Sequence, residues 1–230
     1  MREIVFDTET TGLSFSGGDR LAEIGCVELV NRVPTGAHFH AYVNPGRPMP
    51  IEAFNVHGLS DAFLADKPLF PDVVEELLEF IGDSPLVAHN AAFDFGFLNG
   101  ELSLCGRPKV ATDRMVDTLA IARVRHPGAK HTLDALCARY GVDLSQRTLH
   151  GALLDAQLLA QVYIELKGGR QIALGLAVDA EVVLERPVEA AAKPQLRAPR
   201  HFAATDAELA AHRAFLSTLT DPLWSVESSS

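Results

Sequence analysis

The chain has 230 residues, 47% apolar and 22% charged, the make-up of a globular protein with one sizeable domain and something extra. Its three cysteines, Cys26, Cys105 and Cys137, are widely spaced and form no Cys-x-x-Cys, which argues against a disulfide framework or a thiolate zinc site. The net charge is −10, and nucleic-acid binders ordinarily draw on clustered Lys and Arg, so a nucleic-acid substrate has to be held through metal ions or a partner protein.

From Glu181 onward five Lys/Arg stand against seven Asp/Glu, which leaves −8 of the −10 on residues 1–180. Met1-Arg2-Glu3 leads into the chain without a signal-peptide apolar region, and no apolar run approaches the roughly 18 residues of a membrane span. The expected setting is cytoplasmic, away from membranes.

The segment Ile4-Val5-Phe6-Asp7-Thr8-Glu9-Thr10 predicts a first strand over 3–7 that ends by presenting two carboxylates. Side chains at i and i+2 of an extended chain share a face, so Asp7 and Glu9 project together. Two like charges so close repel unless a cation sits between them; the alternative is an exposed acidic turn. Ser16-Gly17-Gly18-Asp19 marks a turn, and strands follow over 21–30 and 37–44, the last closed by Pro45-Gly46 and Pro48.

A helical pattern covers 72–81, opened by Pro71 and closed by Gly82. Leu86-Val87-Ala88 reads as a short buried strand running into Asn90, an N-cap for a helix carrying Phe93, Phe97 and Leu98. Asp94 lies in the first turn of that helix between Phe93 and Phe95; it either answers the helix dipole or is held among apolar groups as a ligand. Residues 115–117 form a further strand, and helices follow around 118–125, 132–140 and 151–167, the last stopped by Gly168-Gly169.

On the 151–167 helix, Gln157, Gln161 and Glu165 recur every fourth position and mark the solvent stripe. At about 100° per residue Asp155 lies about 160° from Gln157, on the face that packs inward. A buried carboxylate needs a partner, either a metal or a buried arginine. His150, separated from the helix by Gly151, sits on the preceding loop and can turn toward the site that Asp155 faces. Four inward carboxylates and one histidine suit two-metal hydrolysis of a phosphodiester, with hard oxygen donors selecting Mg²⁺ or Mn²⁺ and His150 as general base.

From about Ala180 the patterning dissolves. Residues 181–200 read as a flexible linker after a domain spanning 1–180. In the tail, 201–230, Thr205-Asp206-Ala207-Glu208 fits a capping box, and Leu209, His212, Leu216 and Leu219 follow at helical spacing. A lone amphipathic helix with no core of its own is expected to dock on another protein.

Asp7-Thr8-Glu9-Thr10-Thr11-Gly12, His89-Asn90-Ala91-Ala92-Phe93-Asp94 and His150-Gly151-Ala152-Leu153-Leu154-Asp155 resemble the three motifs of the DEDDh family of 3′→5′ exonucleases, in order. The likeness is greatest to its proofreading branch, which works beside the bacterial replicative polymerase. It extends to Glu52-Ala53-Phe54-Asn55-Val56-His57-Gly58, to Leu133–Tyr140 and to a tail from Phe202 to near Trp224, nearly the whole chain. The resemblance implies an α/β fold of ribonuclease H-like type, a mixed sheet flanked by helices. It implies that Asp7, Glu9 and Asp155 hold one metal ion, that Asp7 and, through water, Asp94 serve a second, and that His150 is the general base. It also implies that Glu52 and His57 contact the terminal nucleotide, and that Thr8 and Leu13 line the terminal-base pocket.

By the same resemblance the tail binds the polymerase catalytic (α) subunit. Gln171-Ile172-Ala173-Leu174-Gly175-Leu176 is similar to a sliding-clamp-binding peptide, with Leu174 and Leu176 as its apolar anchors; Leu176 replaces the more usual aromatic, and an incidental apolar stretch would read the same way. The implied function is removal of mispaired 3′-terminal nucleotides from single-stranded or frayed DNA ends, released as 5′-mononucleotides. Trimming of RNA by the same chemistry and a non-catalytic structural subunit are the alternatives. The tail favours DNA over RNA, and the full set of carboxylates with His150 disfavours a dead site.

Overall fold

The structure is a computed structural model that describes residues 1–145, 147, 149–169 and 204–220. The chain divides into two units, Met1–Leu176 and Ala177–Ser230. The first is built on a five-stranded sheet in the order β3-β2-β1-β4-β5. Strand β1 (Arg2–Thr10) pairs antiparallel with β2 (Leu21–Val30), which pairs antiparallel with β3 (Val33–Tyr42); β4 (Leu86–Ala88) and β5 (Met115–Asp117) add in parallel on the other side of β1. This is a mixed sheet of the expected kind.

The alternation along β1 assigns its two faces. Ile4 and Phe6 join a core with Val74 and Leu77 of α3 (Phe70–Ile81) and Phe95 and Leu98 of α4 (Ala91–Leu104). Val5 packs on the opposite face against Ala156, Leu159 and Tyr163 of α7 (Ala152–Leu166). Tyr163, buried to 1% exposure, keeps its hydroxyl satisfied by donating to Glu3 Oε1 at 2.6 Å. Gln157 and Gln161 are exposed, while Asp155 is buried on the sheet-facing side of α7, as the spacing of the solvent stripe predicts. Helices α5 (Thr118–Arg125) and α6 (Leu133–Tyr140) complete the layer beside α7.

Several boundaries differ from the sequence reading. Strand β3 begins at Val33 rather than 37, because Asn31 and Arg32 both take left-handed backbone (φ 52° and 63°) and close a tight hairpin with β2. Two short helices, α1 (Ile51–His57) and α2 (Asp61–Leu64), occupy a stretch in which no element was expected; each is too short to show a hydrophobic period. Helix α3 starts at Phe70, where the Asp72 carboxylate accepts from the Leu69 amide at 2.9 Å. Asn90 stands at the N-cap of α4 but in left-handed conformation, with no side-chain cap bond. The cap comes instead from Asp117, whose Oδ1 accepts from the amides of Asn90 (3.0 Å) and Ala91 (3.4 Å) and also from Leu119 at the start of α5 (3.0 Å).

The described part of the second unit is α8 (Asp206–Leu216), opened by the expected capping box: the Glu208 amide donates to Thr205 Oγ1 and Glu208 Oε2 accepts from the Thr205 amide. Leu209, Phe215 and Leu219 are exposed. The linker expected over 181–200, the 171–176 peptide with Gln171, Leu174 and Leu176, and Trp224 lie outside the described residues. Among the described residues no helix is long and apolar enough to cross a membrane.

Candidate active site

A cleft of about 510 Å³ opens at the C-terminal end of β1 and β4, between α4, α5 and α7. Asp7, Thr8, Glu9, Asp94, His150 and Asp155 all line it. They reach it from both faces of the sheet. Asp7 and Glu9 share the face of Val5, toward α7, so the helix brings Asp155 to them. Thr8 points to the other face, where its hydroxyl donates to Asp94 Oδ1 at 2.7 Å and ties the first turn of α4 to the strand. The i, i+2 spacing thus places the pair, and the intervening threonine recruits the third carboxylate.

The close approach of α7 depends on Gly25, the β2 partner of Asp7. A Cβ at Gly25 would lie 2.3 Å from the Leu153 amide nitrogen and 2.5 Å from the Ala152 carbonyl carbon, well inside van der Waals contact. Only a glycine lets the first turn of α7 rest directly on the strand and set Asp155 over Asp7.

The site concentrates negative charge. Glu9, Asp94 and Asp155 are 8%, 3% and 2% exposed, and Glu9 pairs across the sheet with a further buried acid, Glu23. Glu23 has a partner of its own, His40, with Nε2 to Oε1 at 2.7 Å. Burial, reinforced by Glu23, Asp155 and Asp94, pushes the Glu9 carboxyl up to about 8. Burial likewise pushes Asp94 up to about 7, against the opposing hydrogen bond from Thr8. Asp7 is raised well above the usual carboxylate range by burial and by the charges of Asp94, Glu9 and Asp155. Such a cluster holds its charge only when a cation joins it.

One cation is already there. The guanidinium of Arg147, on the loop before α7, forks onto Asp155: Nε donates to Oδ1 and Nη2 to Oδ2, each at 2.6 Å. Nη1 contacts Asp134, and Nη2 also reaches His150 Nδ1 at 2.8 Å. The buried-arginine partner that the sequence leaves open for Asp155 is therefore present, and sequence reasoning did not identify it. Its signal was a lone Arg eight residues before Asp155, on a loop with no periodicity.

His150 lies half exposed on the same loop, its Nδ1 3.2 Å from Asp155 Oδ2, and its amide donates to the Val56 carbonyl at the end of α1. Glu9, His150 and Asp155 offer ligand atoms within 4.8 Å of one another, a group that includes the histidine and omits Asp7 and Asp94.

The remaining predicted residues are not brought into the cleft wall. Leu13 is 87% exposed on the loop after β1, and Glu52 is exposed on α1. His57 is buried at the end of α1; its Nδ1 accepts from the Leu59 amide at 3.0 Å, while its Nε2 has no hydrogen-bond partner among the described residues. Burial depresses its basicity, so the neutral ring carries its proton on that unpartnered Nε2. The far wall of the cleft adds His89, Leu119, Arg123 and His131.

The donor set around Asp155 fits hard divalent metal ions: carboxylate oxygens, the His150 imidazole, and an arginine standing where positive charge is required. Residues 4–163 match the model of the Exonuclease family. The chain is 48% identical over 222 residues to the DNA polymerase III subunit epsilon of Rickettsia conorii, covering 95% of this chain and 96% of that protein. It is 48% identical over 229 residues to the subunit of the same name from Escherichia coli, covering 94% and 92%.

Among solved structures, Exonuclease X in complex with 5′ overhanging duplex DNA is 27% identical and superposes with a TM-score of 0.57 over 71% of this chain and 90% of that one. The nuclease domain of 3′hExo, a DEDDh family member, shares the fold at a TM-score of 0.62 and 16% identity, over 72% of this chain and 91% of that one. The chain belongs to the exonuclease family, in the group of DNA polymerase III epsilon subunits.

Proposed function

We propose that this chain is the proofreading 3′→5′ exodeoxyribonuclease subunit of a replicative DNA polymerase, hydrolysing the terminal phosphodiester of a mispaired DNA strand. The observation that carries this reading is the convergence of Asp7, Glu9, Asp94 and Asp155 on one cleft with His150 at its rim.

Asp7, Glu9 and Asp155 would hold one divalent ion, and Asp7 with Asp94 a second, Mg²⁺ or Mn²⁺ by the hardness of their oxygens. Bound there, the pair supplies charge neutralisation at the scissile phosphate and a more acidic attacking water. His150, on an exposed loop beside Asp155, takes the proton from that water. Thr8 keeps Asp94 turned inward. The Nε2–H of His57 is a donor without an acceptor among the described residues, suited to an oxygen of the terminal nucleotide. Leu13 and Glu52 stand exposed on segments outside the cleft lining, where a bound strand end can still meet them.

The domain of residues 1–180 carries the chemistry. The tail helix, with Leu209, Phe215 and Leu219 exposed, docks on the polymerase α subunit, and the 171–176 peptide supplies a contact to the sliding clamp. The setting is the cytoplasmic replisome.

The test is trimming of a 3′-mismatched DNA primer beside a matched one and an RNA of the same sequence, with Mg²⁺ present. Faster loss of the mismatched DNA end, abolished by Asp7→Ala, is expected. Equal trimming by the variant would remove the catalytic assignment, and preference for RNA would remove the proofreading one.

A further inference from the structure

Arg147 touches both Asp155 and His150. Its fork takes both Asp155 oxygens, and its Nη2 meets His150 Nδ1 at 2.8 Å. A guanidinium has donors and no lone pair, so at that contact the imidazole nitrogen accepts. The arginine is itself 10% exposed and also bound to Asp134, so it is packed in place. A metal ion needs the same Asp155 oxygens. Guanidinium and ion would set their positive charges against each other across one carboxylate, so the two compete for it.

We infer that Arg147 is a built-in counter-ion that occupies Asp155 and His150 in the metal-free enzyme and is displaced when the divalent ion enters, so that it sets the enzyme's affinity for metal. The inference rests on the reading of this cleft as a metal centre. It assigns Arg147 a positioning role: in the resting chain it keeps a buried carboxylate neutralised, α7 seated and the imidazole turned toward Asp155. Without it, the charge of Asp155 would face Glu9 and Asp7 with nothing to answer it. The cost of this arrangement is that metal has to compete.

The size of the effect follows from the population of the open form. An ion that binds only the form with Arg147 swung away has its affinity reduced by the fraction of chains in that form. If the arginine-paired form makes up about nine-tenths of the metal-free protein, removing the arginine tightens metal binding about tenfold.

The experiment is direct Mn²⁺ binding to the full chain without substrate, by calorimetry or by the spin-resonance signal of free Mn²⁺, for the wild type, Arg147→Met, Arg147→Lys and Arg123→Met. Arg123 lines the same cleft without an ion pair among the described residues, so its loss alters the field but not the contact. Arg147→Met is expected to bind about tenfold tighter and Arg147→Lys to fall between it and the wild type, since a lysine keeps the charge but cannot fork. Arg123→Met is expected to change affinity by a smaller factor.

Thermal unfolding supplies the second readout. Metal-free Arg147→Met is expected to melt below the wild type and to recover on adding Mn²⁺, whereas a merely structural arginine would leave a deficit at saturating metal. Equal or weaker Mn²⁺ binding by Arg147→Met overturns the inference. So does an Arg147→Lys indistinguishable from the wild type, or an Arg123→Met that tightens binding as much as Arg147→Met. If no variant binds Mn²⁺, the metal-centre reading fails and takes this inference with it; if the wild type binds and trims DNA but the series is flat, only the role of Arg147 fails.

Discussion

Gly25→Ala tests whether a glycine on β2 sets the active-site geometry from behind. The added methyl would stand 2.3 Å from Leu153 N, 2.4 Å from Leu153 Cα and 2.5 Å from the Ala152 carbonyl carbon. Carbon contacts relax at about 3.5 Å, so the first turn of α7 has to retreat by about 1 Å. All three obstacles are backbone, so no side-chain rotation relieves them.

Overpacking of this kind costs about 1–3 kcal/mol, and for a chain of this size 2 kcal/mol lowers Tm by about 4–8 °C. Asp155 sits on the next residues of the same turn, opposite Asp7, and a displacement of about 1 Å between reacting groups costs about 100-fold in rate. The assay is primer trimming at saturating Mg²⁺, with circular dichroism to show that the fold persists and a melting curve for stability. A folded variant that trims within about twofold of the wild type would refute the claim that this contact sets the site.

The raised carboxyls predict an inverted pH response in the metal-free protein. Glu9 keeps its proton in the folded state up to about 8 and Asp94 up to about 7, whereas the unfolded chain releases both near 4. The folded state therefore binds more protons between those values, and stability falls as pH rises through that window. Melting curves in EDTA from pH 5 to 8.5 should decline relative to Glu9→Gln, and saturating Mg²⁺ should flatten the difference; a rise with pH would contradict the assignment. His150→Ala should slow turnover by about 100- to 10,000-fold, the range of a lost general base, while Mn²⁺ binding is retained. Loss of Mn²⁺ binding instead would make the histidine a ligand, as its place beside Glu9 and Asp155 permits. Deleting residues from Pro199 onward should leave primer trimming intact and abolish co-purification with the polymerase α subunit; unchanged co-purification would move the docking surface elsewhere.

What could be read from the chain was what depends on local period. The Asp7-x-Glu9 pair follows from strand alternation, and Asp155 facing inward follows from the fourfold spacing of Gln157, Gln161 and Glu165. His150 lies on the loop because the helix begins only after Gly151, its N-cap in extended backbone. Long-range contacts were invisible. Asn90 looked like a helix cap, yet the capping oxygen belongs to Asp117, far along the chain. Arg147 pairs with Asp155 only because the loop before α7 folds back over it. Gly25 looked like an ordinary strand residue, and its meaning appears only when α7 is laid on β2. Helices α1 and α2 are held by tertiary packing, as Leu64 against Ala22 shows, rather than by any pattern of their own.

The single oxygen of Asp117 that starts both α4 and α5 has a mechanical consequence. Those helices form opposing walls of the cleft, one bearing Asp94 and the other Leu119 and Arg123, and they share one pivot. Tying both walls to one acceptor sets their spacing from a single point: a change of side chain at Asp117 would leave three amides without that oxygen and shift Asp94 and the Leu119–Arg123 wall together.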